Sequence, residues 1–182
     1  MMIPETLSIV ERQILANQFR ILSKIEGNNE FYDTKADILE HGYTEKYHEV
    51  FDVNTEEIPF EICEETSQIL NMYRRINHTI EILSKEEKMQ LDLDTIKFEG
   101  FDANNDSHYH YMTFMIEKMN LWEEYKGTYL NSHCQFQLSK YRKMLGYQNH
   151  LLENDQYDLK KSDLEHLIGL FISAGNKKVT SV

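Results

Sequence analysis

Two acid–histidine pairs have the spacing that di-metal helical bundles use: Glu45 with His48, and Asp163 with His166, each three residues apart. At that spacing a carboxylate and an imidazole share one helix face and reach one metal. Such a centre also needs two further inward-facing carboxylates, and the longest apolar stripe of the chain offers Ile and Tyr instead. With 31 acids in 182 residues, pairs at this spacing arise by chance, and no metal is expected. The run Asp102-Ala103-Asn104-Asn105-Asp106 imitates the start of a calcium loop. Ser107 stands where the loop's sharp turn needs Gly, and Thr113 where it needs a bidentate Glu. An Asp- and Asn-rich helix N-terminus explains these residues more simply. His108 and His110 are two apart and so occupy different faces of a helix.

The seven glycines are scattered singly, which rules out a phosphate-cradling loop, and no serine sits in a nucleophile elbow. No catalytic residue and no cofactor is expected, which leans the reading away from an enzyme. Asn17 and Gln18 are a different kind of polar feature. Gln18 falls in the spacing Ile14, Gln18, Ile21, Ile25, the stripe of an amphipathic helix. A buried amide there fixes register or oligomeric state. Equally, it is a routine buried amide bonded to a loop carbonyl.

Helices must position all of these residues. With only 7 Gly and 2 Pro, the chain is too poor in turn residues for a sandwich or barrel. A capping box, Ser8 with Glu11, opens a helix over 9–26 whose buried face is Ile14, Leu15, Phe19, Ile21, Leu22 and Ile25, closed by Gly27. A second runs over 29–41 to Gly42, and a short third over 44–51. The strongest period follows Pro59: Ile62, Thr66, Ile69, Tyr73, Ile76, Ile80 and Leu83 make a heptad seam on a long helix over 59–84. So long a seam needs a long partner, another helix of the chain or a second copy. Residues 84–95 are polar and aperiodic, the expected subdomain boundary. Residues 96–101 alternate as an extended crossing segment with its aromatics turned inward. Further helices are predicted over 106–126 (Met112, Met115, Ile116, Met119, Trp122) and over 132–145, with Cys134 on its seam and Gly146 as its stop. A last one opens with Ser162 and Glu165, and its tail frays from about 175.

Charge narrows the partners. The net charge is −12, and between Asp52 and Glu65 there are six acids and no base. Such a field repels phosphate backbones and anionic membrane surfaces, so nucleic acid is an unfavourable partner and a membrane is not expected. Cys63 and Cys134 read as buried reduced thiols, no leader segment is visible at the start, and the apolar stretch Leu167 to Ile172 is too short to span a bilayer. The address they imply is the cytoplasm.

Several segments together resemble the YfbU family of bacterial proteins. They are Glu11-Arg12-Gln13-Ile14-Leu15-Ala16-Asn17-Gln18-Phe19, Gly42-Tyr43, Cys63 with Asn71-Met72-Tyr73, Phe98-Glu99-Gly100-Phe101-Asp102-Ala103, Tyr141-Arg142-Lys143-Met144-Leu145, and the Ser162 box. Their order from about residue 8 to 173 carries the resemblance. It implies a small all-helical, two-part fold that self-associates, with an uncharacterised function and no catalytic residues to carry over.

The expectation is therefore an all-α, multihelical protein of about seven helices in two packed subdomains, 1–95 and 96–182, around one long heptad-patterned helix. Its expected function is that of a homo-oligomeric interaction or regulatory protein without catalysis. The residues singled out for an interface or pocket are Asn17, Gln18, Tyr43, Tyr73, Gly100, Phe101 and Asp102. The rival reading is an enzyme, small-ligand or metal binder with a site between the subdomains, lined by Tyr43, Tyr73, Phe101, Asp102 and His108.

Overall fold

Ser8 accepts a hydrogen bond from the Glu11 amide while the Glu11 carboxylate accepts from the Ser8 amide, and this reciprocal cap starts α1 (Ile9–Glu26). Gly27, at φ 70°, ends it in the left-handed conformation that favours glycine. The computed structural model describes residues 3–27, 29–51, 56–134 and 136–175, with the side chains of 172–175 outside that description. Over these residues the fold is all-helical, and the expected frayed tail lies beyond them from residue 176.

The chain divides into two compact units, 1–57 and 58–182. The expected boundary near 90 is thus displaced, and the long helix belongs to the second unit. The first unit is a helical hairpin of α1 and α2 (Asn29–His41), followed by a 3-10 segment, Thr44–Glu49. Its core is Ala16, Ala36, Ile38, Leu39, Tyr47 and Val50. Arg12 donates to the Leu39 carbonyl at 3.3 Å and lies against Gly42, where φ is 68°. On the outer side Arg20 bonds Asp33, Asp37 and Glu40 of α2.

The second unit is built around α3 (Phe60–Ile82), which buries Thr66, Ile69, Leu70, Met72, Tyr73, Ile76 and Thr79. Its seam is filled by α5 (Ser107–Glu117) and α6 (Gln137–Glu153) of the same unit, and α7 (Lys161–Gly175) adds Leu164, Leu167 and Ile168 to the core. Between 84 and 95, read above as aperiodic linker, Ser84 and Glu87 form a second capping box on the short α4 (Lys85–Lys88). A 3-10 turn, Leu93–Ile96, takes in the first residue of the segment expected to be extended, and 97–101 then turns Phe98 and Phe101 into the core.

Several helix boundaries differ from the sequence reading for local reasons. Helix α5 stops at Glu117, so Met119 lies outside it and is half exposed, while Trp122 takes a left-handed backbone at φ 49°. Helix α6 begins only at Gln137, leaving Cys134 ahead of it, and it continues through Gly146 to Glu153. Gly146 stops nothing because Tyr141, Met144, Leu145, Gln148 and Leu151 keep one continuous buried face across it. At α7 the start is fixed by the Asp163 carboxylate, which accepts from the Lys160 amide at 2.7 Å, two residues ahead of the expected Ser162 box.

Candidate functional site

Helix α1 does not bury the face assigned to it. Ala16 and Ser23 are buried and Leu15, Phe19 and Leu22 are half-buried, whereas Ile14, Ile21 and Ile25 are 53%, 56% and 74% exposed. Asn17 and Gln18 are exposed with them, as is Val10. Gln18 is therefore no core amide. At 100° per residue, Val10, Ile14, Gln18, Ile21 and Ile25 form one stripe on the side of α1 opposite Ala16, Phe19 and Ser23. The helix is apolar on two faces, and α2 with the 3-10 segment can cover only one. Asn17 accepts a hydrogen bond from Gln13 at 2.9 Å and so stays tied to its own helix.

Tyr43, in the same unit, is 55% exposed and stacks on His41 at 5.3 Å. The four remaining candidates fall in the second unit. Tyr73 and Phe101 are fully buried in its core, where they meet Phe98 and Tyr141 at centroid distances of 4.8 to 5.8 Å. The Tyr141 hydroxyl accepts from the Glu99 amide at 3.1 Å and donates to the Gly100 carbonyl at 2.9 Å, and Gln137 bonds the Glu99 carboxylate. Burial pushes the Tyr141 hydroxyl pKa well up, so it stays a neutral donor in this clasp.

Gly100 sits at φ 84°, and a Cβ on it would lie 1.8 Å from the Leu130 carbonyl oxygen. Two backbone segments touch there: Phe101 and Asn131 form a parallel bridge, and Asn131 accepts from the Ala103 amide at 3.2 Å. Asp102 accepts from the Asn104 amide and the Asn105 side chain, while its own amide donates to Asp106. These bonds hold the Asp102 carboxylate below its ordinary pKa, the Asn105 side chain being the larger cause. The stretch is a structural clasp that delivers the chain into α5.

Sequence reasoning missed one charged cluster. Glu65 on α3 accepts two hydrogen bonds from Arg142 of α6, at 2.7 and 2.8 Å, and stands 2.8 Å from His108 Nε2 of α5. Arg142, then His108, draw the Glu65 carboxyl below the usual range against the opposing effect of burial. His108 is 3% exposed, stacks on Phe101 at 5.2 Å, and has no partner at Nδ1. His108 and Arg142 lie 43 and 77 positions from Glu65 along the chain, and only tertiary contact reveals the cluster. They tie α3, α5 and α6 together.

The acid–histidine pairs have other work. His48 Nδ1 lies 2.9 Å from the Glu45 carbonyl, while Asp163 accepts from Tyr147, on which His166 stacks at 4.1 Å. Among the described residues no group of three His, Cys, Asp or Glu could hold a metal, and no helix is long and apolar enough to cross a membrane.

Residues 6–169 match the YfbU domain. A UPF0304 protein of Methanocaldococcus jannaschii is 32% identical over 164 residues, covering 87% of this chain and 96% of the relative.

Proposed function

This chain belongs to the YfbU family, and on that premise we propose that it is a self-associating helical interaction protein of the cytoplasm that works through a surface rather than a reaction. The observation that supports this reading is the exposed apolar stripe of α1. Contiguous apolar surface of this kind, bounded by polar residues, marks protein–protein contact. Further burial would also stabilise the first unit. Among the described residues its buried core is six side chains, with Ile3, Leu7, Leu15, Phe19 and Phe51 partly buried against it, and a small unit gains stability from added contacts. The rival ligand site loses two of its lining residues, because Tyr73 and Phe101 are packed among other aromatics.

Mass in solution tests the reading. Sedimentation of the full chain from about 1 to 100 μM is expected to show a species of at least twice the 21.7 kDa chain mass, populated increasingly with concentration. A strict monomer across that range would overturn it.

A further inference from the structure

We infer that α1 pairs with α1 of a second copy in antiparallel orientation, about a two-fold axis passing between Asn17 and Gln18. This inference rests on the self-association proposed above and names its surface and geometry.

A two-fold interface must be complementary to itself, since each patch meets its own copy. The α1 stripe satisfies that requirement along its length. Turned end for end about the midpoint of residues 17 and 18, Val10 falls level with Ile25 and Ile14 with Ile21. Aliphatic side chains then meet aliphatic side chains at four levels over about 22 Å of helix. At the centre, Gln18 of one copy lies beside Gln18 of the other on the same flank, and Asn17 beside Asn17 on the opposite flank. A carboxamide carries both donor and acceptor, so two glutamines can bond each other. Placed at the middle of an apolar seam, they favour the register that pairs them.

Charge permits a second copy on this face and favours this orientation. Each chain carries −12, so two copies repel unless they meet on a surface without acids. The stripe from Val10 to Ile25 has none along its centre line, with Glu11 flanking one end and Lys24 the other. Antiparallel pairing opposes the two helix dipoles and keeps the two Glu11 side chains about 20 Å apart along the seam. Parallel pairing would set Glu11 level with Glu11 and Lys24 level with Lys24. The outer acids engaged by Arg20, namely Asp33, Asp37 and Glu40, belong to α2 and not to the stripe. One helix pair covers less than the roughly 800 Å² per partner of a standard interface, so the dimer should respond to dilution.

Three preparations of the full chain test the geometry. The exposed double variant Ile14→Glu/Ile21→Glu should leave helix content unchanged by circular dichroism and raise the dimer dissociation constant at least tenfold. Mild oxidation of an equimolar mixture of Ile14→Cys and Ile21→Cys proteins should give a 14–21 disulfide between chains, identified by peptide mapping against the native Cys63 and Cys134. Ile14→Cys alone should give little 14–14 disulfide. A dominant 14–14 bond would replace the antiparallel arrangement with a parallel one and overturn the inference. Unchanged dimerisation of the Glu variant, with neither disulfide formed, would place the interface elsewhere and leave self-association standing. Monomer at every concentration would overturn both, leaving the stripe to another protein or to another part of this chain.

Discussion

Helix α3 runs 23 residues and encloses Ile69, Tyr73 and Ile76 completely, while α1 runs 18 and leaves Ile14, Ile21 and Ile25 more than half exposed. Both carry a largely apolar stripe at spacings of three and four residues. The difference lies in what surrounds them. Helix α3 has α5 and α6 against its seam, plus α7 in the same core. Helix α1 has α2 and a short 3-10 segment, enough to cover Ala16 and Phe19 but not the opposite side. A periodic apolar stripe thus reports that a helix has a face to cover; the elements within reach determine whether its own chain covers it.

Truncation of matched isoleucines is the sharpest way to break this comparison. Ile76→Ala removes packing from a closed core and should cost about 2–5 kcal/mol. Ile21→Ala, under dilute conditions, should change monomer stability by less than about 0.5 kcal/mol. Urea unfolding of both variants measures the contrast, and similar losses would mean that α1 is covered in solution even without association.

Gly100→Ala probes how tightly the α3 unit is closed. Its Cβ would collide with the Leu130 carbonyl, and φ 84° is strained for any other residue, so a loss on the order of 3 kcal/mol is expected. Thermal unfolding reads it directly. A neutral result would show that the Leu130 segment can yield, and would make the clasp a flexible crossing.

The smallest loss expected within the α3 unit is at Glu65. Glu65→Gln should cost about 1–2 kcal/mol at neutral pH, limited because Arg142 is half exposed. Because the folded carboxyl titrates lower than the unfolded one, the charge contribution is fully present above the unfolded pKa of about 4.3 and disappears as pH falls through the lower folded value. Urea midpoints measured from pH 7 to pH 3 should therefore converge for wild type and variant at the acid end. Parallel curves would mean that Glu65 acts through packing alone.

Much of the architecture was legible from local pattern. Ser8 with Glu11 marked the start of α1, Gly27 its end, and the seam from Thr66 to Ile76 marked the buried side of α3. Such features are written within one or two turns of chain. The candidate site was legible only in part. Gly100 stood out as a glycine inside an extended aromatic segment, and the reason proved to be the backbone at Leu130, thirty residues on. Gln18 stood out as an amide within a stripe, but the stripe was placed in a core. The cluster of Glu65, His108 and Arg142 left no trace at all, because no spacing links residues that meet only when three helices close.

By itself, then, the sequence determined the helical class, most helix starts, and the family, since capping, periodicity and ordered short motifs are local properties of the chain. Tertiary structure alone decided that the seam of α3 is satisfied within its own unit and that of α1 is not. It also decided that Tyr73, Phe101 and Asp102 are core and clasp. Burial is a property of neighbours, and the neighbours here come from segments 30 to 80 residues away.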